Sequence, residues 1–141
     1  MARTDFRFFH TLRVRWAEVD RQDVVFNGHY LLYFDVAVTE YWRALQQGQS
    51  DQFKEQIPAW MHSLYAVKST VEYHASAHFD EEIDIGVRIK KLGNSSMLWG
   101  IEIYHGETHL TSGELVYVYR DPATEKSGTI PAELRAALEG F

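Results

Sequence analysis

Leu12, Val14 and Trp16 alternate with Arg13, Arg15 and Ala17, a period of two that predicts a half-buried strand. A polar stretch follows from Glu18 to Asp23, then Val24-Val25-Phe26 and the turn-like pair Asn27-Gly28. From about His29 the period changes. Tyr30, Phe34, Ala37, Val38, Tyr41 and Leu45 fall at helical spacing, and Leu31, Leu32, Tyr33, Val36 and Trp42 fill the other faces. This predicts a long helix buried on most sides in its first half, with Asn27 as N-cap and Gly48 as stop. Gln46 to Pro58 reads as a polar connection.

Four more alternating runs follow. Their apolar positions are Tyr65, Val67, Val71 and Tyr73; Ile83, Ile85, Val87 and Ile89; Met97, Trp99, Ile101 and Ile103; and Leu115, Tyr117 and Tyr119. Gly93-Asn-Ser95 and His105-Gly-Glu107 are short enough for hairpins, so these strands should be antiparallel. Pro131 opens a short final helix running to Leu138. Strand, long helix, then four strands imply an α+β fold: about five antiparallel strands wrapped around one buried helix, a single domain over residues 1–141. The open strand edges and surplus aromatics suggest that copies of the chain pair, as a homodimer or homotetramer.

Composition narrows the function. Net charge is −6, against the basic face of nucleic-acid binders. The absence of Cys excludes thiol nucleophiles and Cys-ligated metal, and fits a reducing, cytoplasmic setting. No apolar run reaches the ~18 residues of a membrane span, and residues 1–10 lack the apolar core of a signal peptide. The pairs His74/His78 and His105/His109 are four apart, but both fall in strand or turn sequence, so no metal site is expected.

The chemistry concentrates in Arg13-Val-Arg-Trp-Ala-Glu-Val-Asp-Arg-Gln-Asp-Val-Val-Phe-Asn-Gly-His-Tyr30. Asp20 follows a strand and precedes a helix N-terminus, whose free N–H groups favour an anion. The apolar helix beyond it would wall the site with low-dielectric surface. A carboxylate beside such donors suits attack on an acyl carbonyl, although an Asp in this position is more often a cap or a solvated loop residue.

The same segment resembles the signature of hotdog-fold acyl-CoA thioesterases of the 4-hydroxybenzoyl-CoA thioesterase family. The matching positions are Trp16, Asp20, Val24-Val25, Asn27 and Tyr30, then Phe34, Ala37, Thr39 and Glu40 along the helix. Glu72-Tyr73, Phe79-Asp-Glu-Glu-Ile83, Leu92-Gly93 with Ser95-Ser96, and Ile130-Pro131 extend the likeness over about residues 10–138. The resemblance implies a hydrolase with no cofactor, which cleaves acyl-CoA to a free acid and CoA. Asp20 would be its nucleophile or general base, and the Asn27 N–H would polarise the thioester carbonyl. It also implies dimers that build sites at their interface. The sequence departs from the family at Asp23, often Gly there, at Ser76, often Pro, and at Val38, often Arg.

Further candidates attach to this reading. His29 and Tyr30 would line the pocket, with capping or packing as the alternative for His29. Arg88, Lys90 and Lys91 form the best basic cluster for CoA phosphates, or simply a charged strand edge. Ser96 would border the pantetheine path or serve a turn. Asp35 and Thr39, one helical turn apart, are a reserve site. Two other functions remain open: an enoyl-CoA hydratase, which needs Asp20 and His29 within hydrogen-bond reach, and a non-catalytic acyl-CoA-binding protein.

Overall fold

A computed structural model of the chain describes residues 2–46 and 59–141. Five strands, β1 (Phe8–Arg13), β2 (Leu64–Tyr73), β3 (Glu82–Leu92), β4 (Ser96–His105) and β5 (Thr108–Tyr119), form one sheet. Their spatial order is β1-β3-β4-β5-β2, with every neighbouring pair antiparallel. The long helix α1 (His29–Leu45) lies in the hollow of this sheet against β1 and β3, and α2 (Ala132–Gly140) follows the last strand. This is the antiparallel sheet around one helix expected from the alternating periods, and the hotdog fold that the resemblance implies. Among the described residues, no helix is long and apolar enough to cross a membrane.

The core forms because two periodicities meet. The inward residues Ile83, Ile85 and Val87 of β3 and Met97, Trp99, Ile101 and Ile103 of β4 are almost fully buried. From α1, Tyr33, Phe34, Ala37, Val38, Tyr41 and Trp42 pack against them. Phe34 approaches β5 so closely that a Cβ at Gly113 would stand 2.2 Å from its ring, so this position admits glycine alone without a shift. Removing a ring of this kind costs about 3–5 kcal/mol. The β4–β5 turn uses Gly106 at φ 58°, a left-handed conformation suited to glycine.

Several expectations need correction. The first strand lies earlier than the Leu12-Val14-Trp16 alternation predicts. Its pairing with β3 ends at Arg13↔Glu82, and Trp16 sits in a 3-10 turn, Trp16–Glu18, with 74% of its surface exposed. Strand β2 has no buried face. It is the sheet edge, where Leu64 and Val71 pack against the core and Tyr73 meets Tyr30 of α1, while Tyr65, Val67 and Tyr73 are about half exposed. Its register slips between Ala66 and Lys68.

The helix departs from expectation too. Leu31 and Leu32 are exposed on its outer side, next to Asp35. The N-cap is Gly28, not Asn27, and no side chain caps the end. Pro131 is the cap of α2, one position before the helix begins. The predicted stop at Gly48 and most of the Gln46–Pro58 connection lie outside the described residues.

Candidate active site

The chain between β1 and α1 is built around a buried carboxylate. Glu18, 4% exposed, accepts the Arg15 backbone N–H and Arg15 Nε–H, both at 2.8 Å, and pairs with Arg15 Nη2. The Tyr33 hydroxyl of α1 donates to it at 2.8 Å. Burial pushes the Glu18 carboxyl up, but the hydrogen bonds from Arg15 and Tyr33 outweigh it and hold the group below its usual range. Burial and the bond to Glu18 push the Tyr33 hydroxyl far above its ordinary value. Glu18 went unnoticed in the sequence. Its only trace there is the spacing of three from Arg15, the separation of a one-turn cap.

Beyond Glu18 the chain makes a tight loop. Val19 bridges Val25, Asp20 N–H donates to the Val24 carbonyl at 2.8 Å, and Asp23 N–H donates to the Asp20 carbonyl at 3.0 Å. Asp23 takes φ 62°, which explains why a glycine suits this position. Asp and Asn are the side chains that tolerate this region best. One oxygen of the Asp20 carboxylate, Oδ1, accepts the Gln22 N–H at 2.7 Å. The other has no hydrogen-bond partner among the described residues.

Asp20 opens onto a cleft of about 260 Å³ shared with Asn27, Tyr30, Tyr73 and Ser76. The segment after β2 is laid beside the loop: Val25 N–H donates to the Ala77 carbonyl at 2.9 Å, and Ala77 N–H donates to the Tyr30 hydroxyl at 3.2 Å. Burial raises the Tyr30 pKa, so its hydroxyl stays protonated. The Tyr73 hydroxyl donates to the Asn27 carbonyl at 3.0 Å. That bond ties the edge strand to the helix entrance. The Asn27 N–H, just ahead of the N-cap Gly28, has no acceptor among the described residues, and Asn27 lines the cleft.

The other expected site residues fall elsewhere. His29 packs edge-on against Phe26, ring centroids 6.0 Å apart, and makes no hydrogen bond to Asp20 among the described residues. Arg88, Lys90 and Lys91 lie in the second half of β3 and Ser96 opens β4, and none of the four lines the Asp20 cleft. Lys90 crosses over Gly100 and pairs with Glu114 at 2.6 Å on the outer face. Arg88 and Lys91 line separate clefts beside α2. The Thr39 hydroxyl donates to the Asp35 carbonyl at 2.9 Å, so it is engaged with backbone rather than with the Asp35 carboxylate. The histidines group across strands instead of along the chain, His74 stacking on His109 at 4.6 Å. Among the described residues, no group of three or more His, Asp or Glu is arranged to hold a metal.

The family model described as the thioesterase superfamily matches residues 22–112. The chain belongs to the thioesterase superfamily. The matched stretch carries α1, β2, β3, β4 and the first turns of the site, and begins two residues after Asp20. An Escherichia coli protein named acyl-CoA thioester hydrolase YbgC is 28% identical over 129 residues, 91% of this chain and 92% of that one. A solved structure of a predicted thioesterase from Bacillus stearothermophilus superposes with a TM-score of 0.80 at 20% identity, over 94% of both chains. A Thermus thermophilus thioesterase, solved with coenzyme A and Zn, gives 0.78 at 21% identity, over 96% of this chain and 93% of that one. These two likenesses show the superfamily's shared fold.

Proposed function

We propose that this member of the thioesterase superfamily hydrolyses acyl-CoA thioesters to a free carboxylic acid and CoA, with Asp20 as the reacting carboxylate. The observation that carries the reading is the pairing of two unsatisfied groups at one cleft: the free oxygen of Asp20 and the free N–H of Asn27. The name of the Escherichia coli relative supports acyl-CoA as the substrate class.

The thioester carbonyl lies over the start of α1, its oxygen accepting the Asn27 N–H. As the carbonyl carbon becomes tetrahedral, negative charge grows on that oxygen. A backbone donor in a peptide held by Tyr73, just ahead of the helix, stabilises the charge without reorganising. Asp20 attacks the carbon, forming a mixed anhydride that water then cleaves, or takes a proton from a water that attacks. Either way the C–S bond breaks, CoA leaves as thiolate and takes up a proton, and the acyl group leaves as a carboxylate. The hydrogen bond from Gln22 holds one Asp20 oxygen, so the other is the one presented to the substrate.

A hydratase reading draws no support, because His29 is turned to Phe26 and does not pair with Asp20. Contact between Lys91 and the CoA phosphates would have to reach the cleft of a second copy. Such a copy fits the exposed edge strand β2, with Tyr65, Val67 and Tyr73 half exposed. The test is free-thiol release from a panel of acyl-CoAs, wild type beside Asp20→Asn. A loss of about a hundredfold or more is expected, since the substitution keeps the shape and removes the nucleophile. Turnover that survives would overturn the assignment of Asp20.

A further inference from the structure

The hydroxyl of Tyr30 is only half engaged. Tyr30 is 2% exposed, and its oxygen accepts the Ala77 N–H at 3.2 Å. Its proton has no acceptor among the described residues. Buried polar groups are normally paired on both counts, so an open donor in a buried phenol calls for an explanation.

Three contacts fix this phenol. The Ala77 N–H holds the oxygen, and the ring packs edge-on against Tyr33, centroids 5.8 Å apart, and Tyr73, 5.4 Å apart. Long side chains on a helix lean back toward its N-terminus. For Tyr30, the second residue of α1, that direction is the Asn27–Gly28 corner. Tyr30 and Asn27 line the same cleft as Asp20, together with Ala75 and Ser76, the residues that lead to Ala77. The cleft therefore holds one open acceptor, the free Asp20 oxygen, and two open donors on fixed groups, the Asn27 N–H and the Tyr30 O–H.

The other polar groups of the cleft are less suited to a developing charge. The Tyr73 proton is engaged by the Asn27 carbonyl. The Ser76 hydroxyl and the Gln22 and Asn27 side-chain amides belong to exposed residues, and they make no hydrogen bond among the described residues. Such groups must shed water and stop turning before they can help, whereas a donor already held in place stabilises charge as it forms. Burial holds the Tyr30 pKa above its ordinary value, so the phenol keeps its proton through the neutral range.

We propose that Tyr30 is a catalytic residue of thioester cleavage: its O–H is the second donor, beside the Asn27 N–H, to the carbonyl oxygen as that oxygen becomes an oxyanion. The assignment rests on the thioesterase reading given above. A tetrahedral oxyanion has lone pairs enough for both donors. The proton stays on Tyr30 throughout. The electron pair of the oxyanion re-forms the C=O bond as the C–S bond breaks and CoA thiolate leaves.

The experiment compares free-thiol release from acyl-CoAs by the wild type, Asp20→Asn and Tyr30→Phe. Tyr30→Phe should lower kcat at least ~10-fold with KM little changed, since the donor acts chiefly in the transition state. A smaller loss of kcat, or a loss that appears as a raised KM, overturns the assignment. The Phe variant also leaves the Ala77 N–H without its acceptor, so two non-hydrolysable CoA thioethers separate chemistry from packing. One carries a trifluoromethyl ketone, which adds water or the Asp20 carboxylate and mimics the tetrahedral state. The other carries a plain alkyl chain without a carbonyl. Tyr30→Phe should weaken binding of the first at least ~10-fold and leave the second unchanged. Equal weakening of both, as a loosened fold would give, overturns the assignment.

A chain with a polyfluorinated tyrosine at position 30 covers the case in which Tyr30→Phe does not fold. It keeps the ring, the oxygen and the bond from Ala77, but its phenol is far more acidic. Its kcat should fall on the alkaline side at a pH where the wild type is still level, and superimposable pH profiles overturn the assignment. The two readings fail differently. Turnover kept in Tyr30→Phe and lost in Asp20→Asn sinks Tyr30 alone. Turnover lost in Tyr30→Phe and kept in Asp20→Asn sinks Asp20 alone. No thiol release by the wild type from any acyl-CoA sinks both.

Discussion

The Tyr33 hydroxyl of α1 donates a 2.8 Å hydrogen bond to Glu18, a carboxylate buried two residues before Asp20. Through that bond the rigid helix and the site loop are one unit. Glu18→Gln should cost roughly 1–3 kcal/mol, since Arg15 and Tyr33 would lose a charged acceptor in a buried place. The effect has a pH signature. Glu18 titrates below its ordinary value in the folded chain, so its contribution is present above the unfolded-state pKa near 4.5 and is lost as the pH falls through the lower, folded-state value. Melting temperatures measured from pH 7 down to pH 3 should fall more steeply for the wild type than for Glu18→Gln.

Asp23 occupies a left-handed conformation at φ 62°. Asp23→Gly relieves that conformation but loosens the unfolded chain, and should leave stability within about 1 kcal/mol of the wild type with activity retained. Asp23→Val, β-branched, should lose more than about 1 kcal/mol and distort the loop that holds Asp20. Thermal denaturation beside a thiol-release assay distinguishes the two variants.

Gly113 lies under the ring of Phe34. Gly113→Ala should destabilise the chain by about 1–3 kcal/mol, because the added methyl drives into a packed ring rather than a flexible chain end. Chemical denaturation should show the lower midpoint with the slope unchanged.

The Tyr73 hydroxyl holds the Asn27 carbonyl. Tyr73→Phe keeps the ring against Tyr30 and removes this tether, at a cost of about 0.5–1.5 kcal/mol. The Asn27 peptide would be less firmly aimed at the substrate oxygen, so kcat should fall several-fold with little change in KM.

Elements with one buried and one outward face were legible from sequence. The inward isoleucines of β3 and the Met97-to-Ile103 run of β4 mark their strands because those side chains join the helix residues in one core, although on β4 the intervening Gly100 and Glu102 are buried as well. Tyr30, Phe34, Ala37 and Tyr41 mark the helix for the same reason. Leu12, Val14 and Trp16 misled because the alternation runs on past the last ladder pair, Arg13↔Glu82, into a turn where Trp16 packs on Phe79 at 5.1 Å. Strand β2 alternates on paper, but burial depends on what covers a face, and its sequence does not report that it stands at the edge of the sheet.

The site was half legible. Asp20, Asn27 and Tyr30 share one cleft, and short-range spacing carried them there. Tyr73 reaches the same cleft from a distant strand. Arg88, Lys90 and Lys91 form a cluster in the sequence, and Arg88 and Lys90 share the face over Gly100, but all three lie outside the lining of the Asp20 cleft.

Strand β2 also sets an order of events. It follows α1 in the chain but can pair only with β5, the last strand made. The β3–β4–β5 meander closes through short turns, whereas docking β2 closes a long loop, a slower step with a larger entropic cost. Tyr73 lies on that strand, so the cleft should be complete only once β2 has paired with β5. The tether to Asn27 therefore depends on a strand pairing distant in sequence, and competence for chemistry should lag behind acquisition of secondary structure.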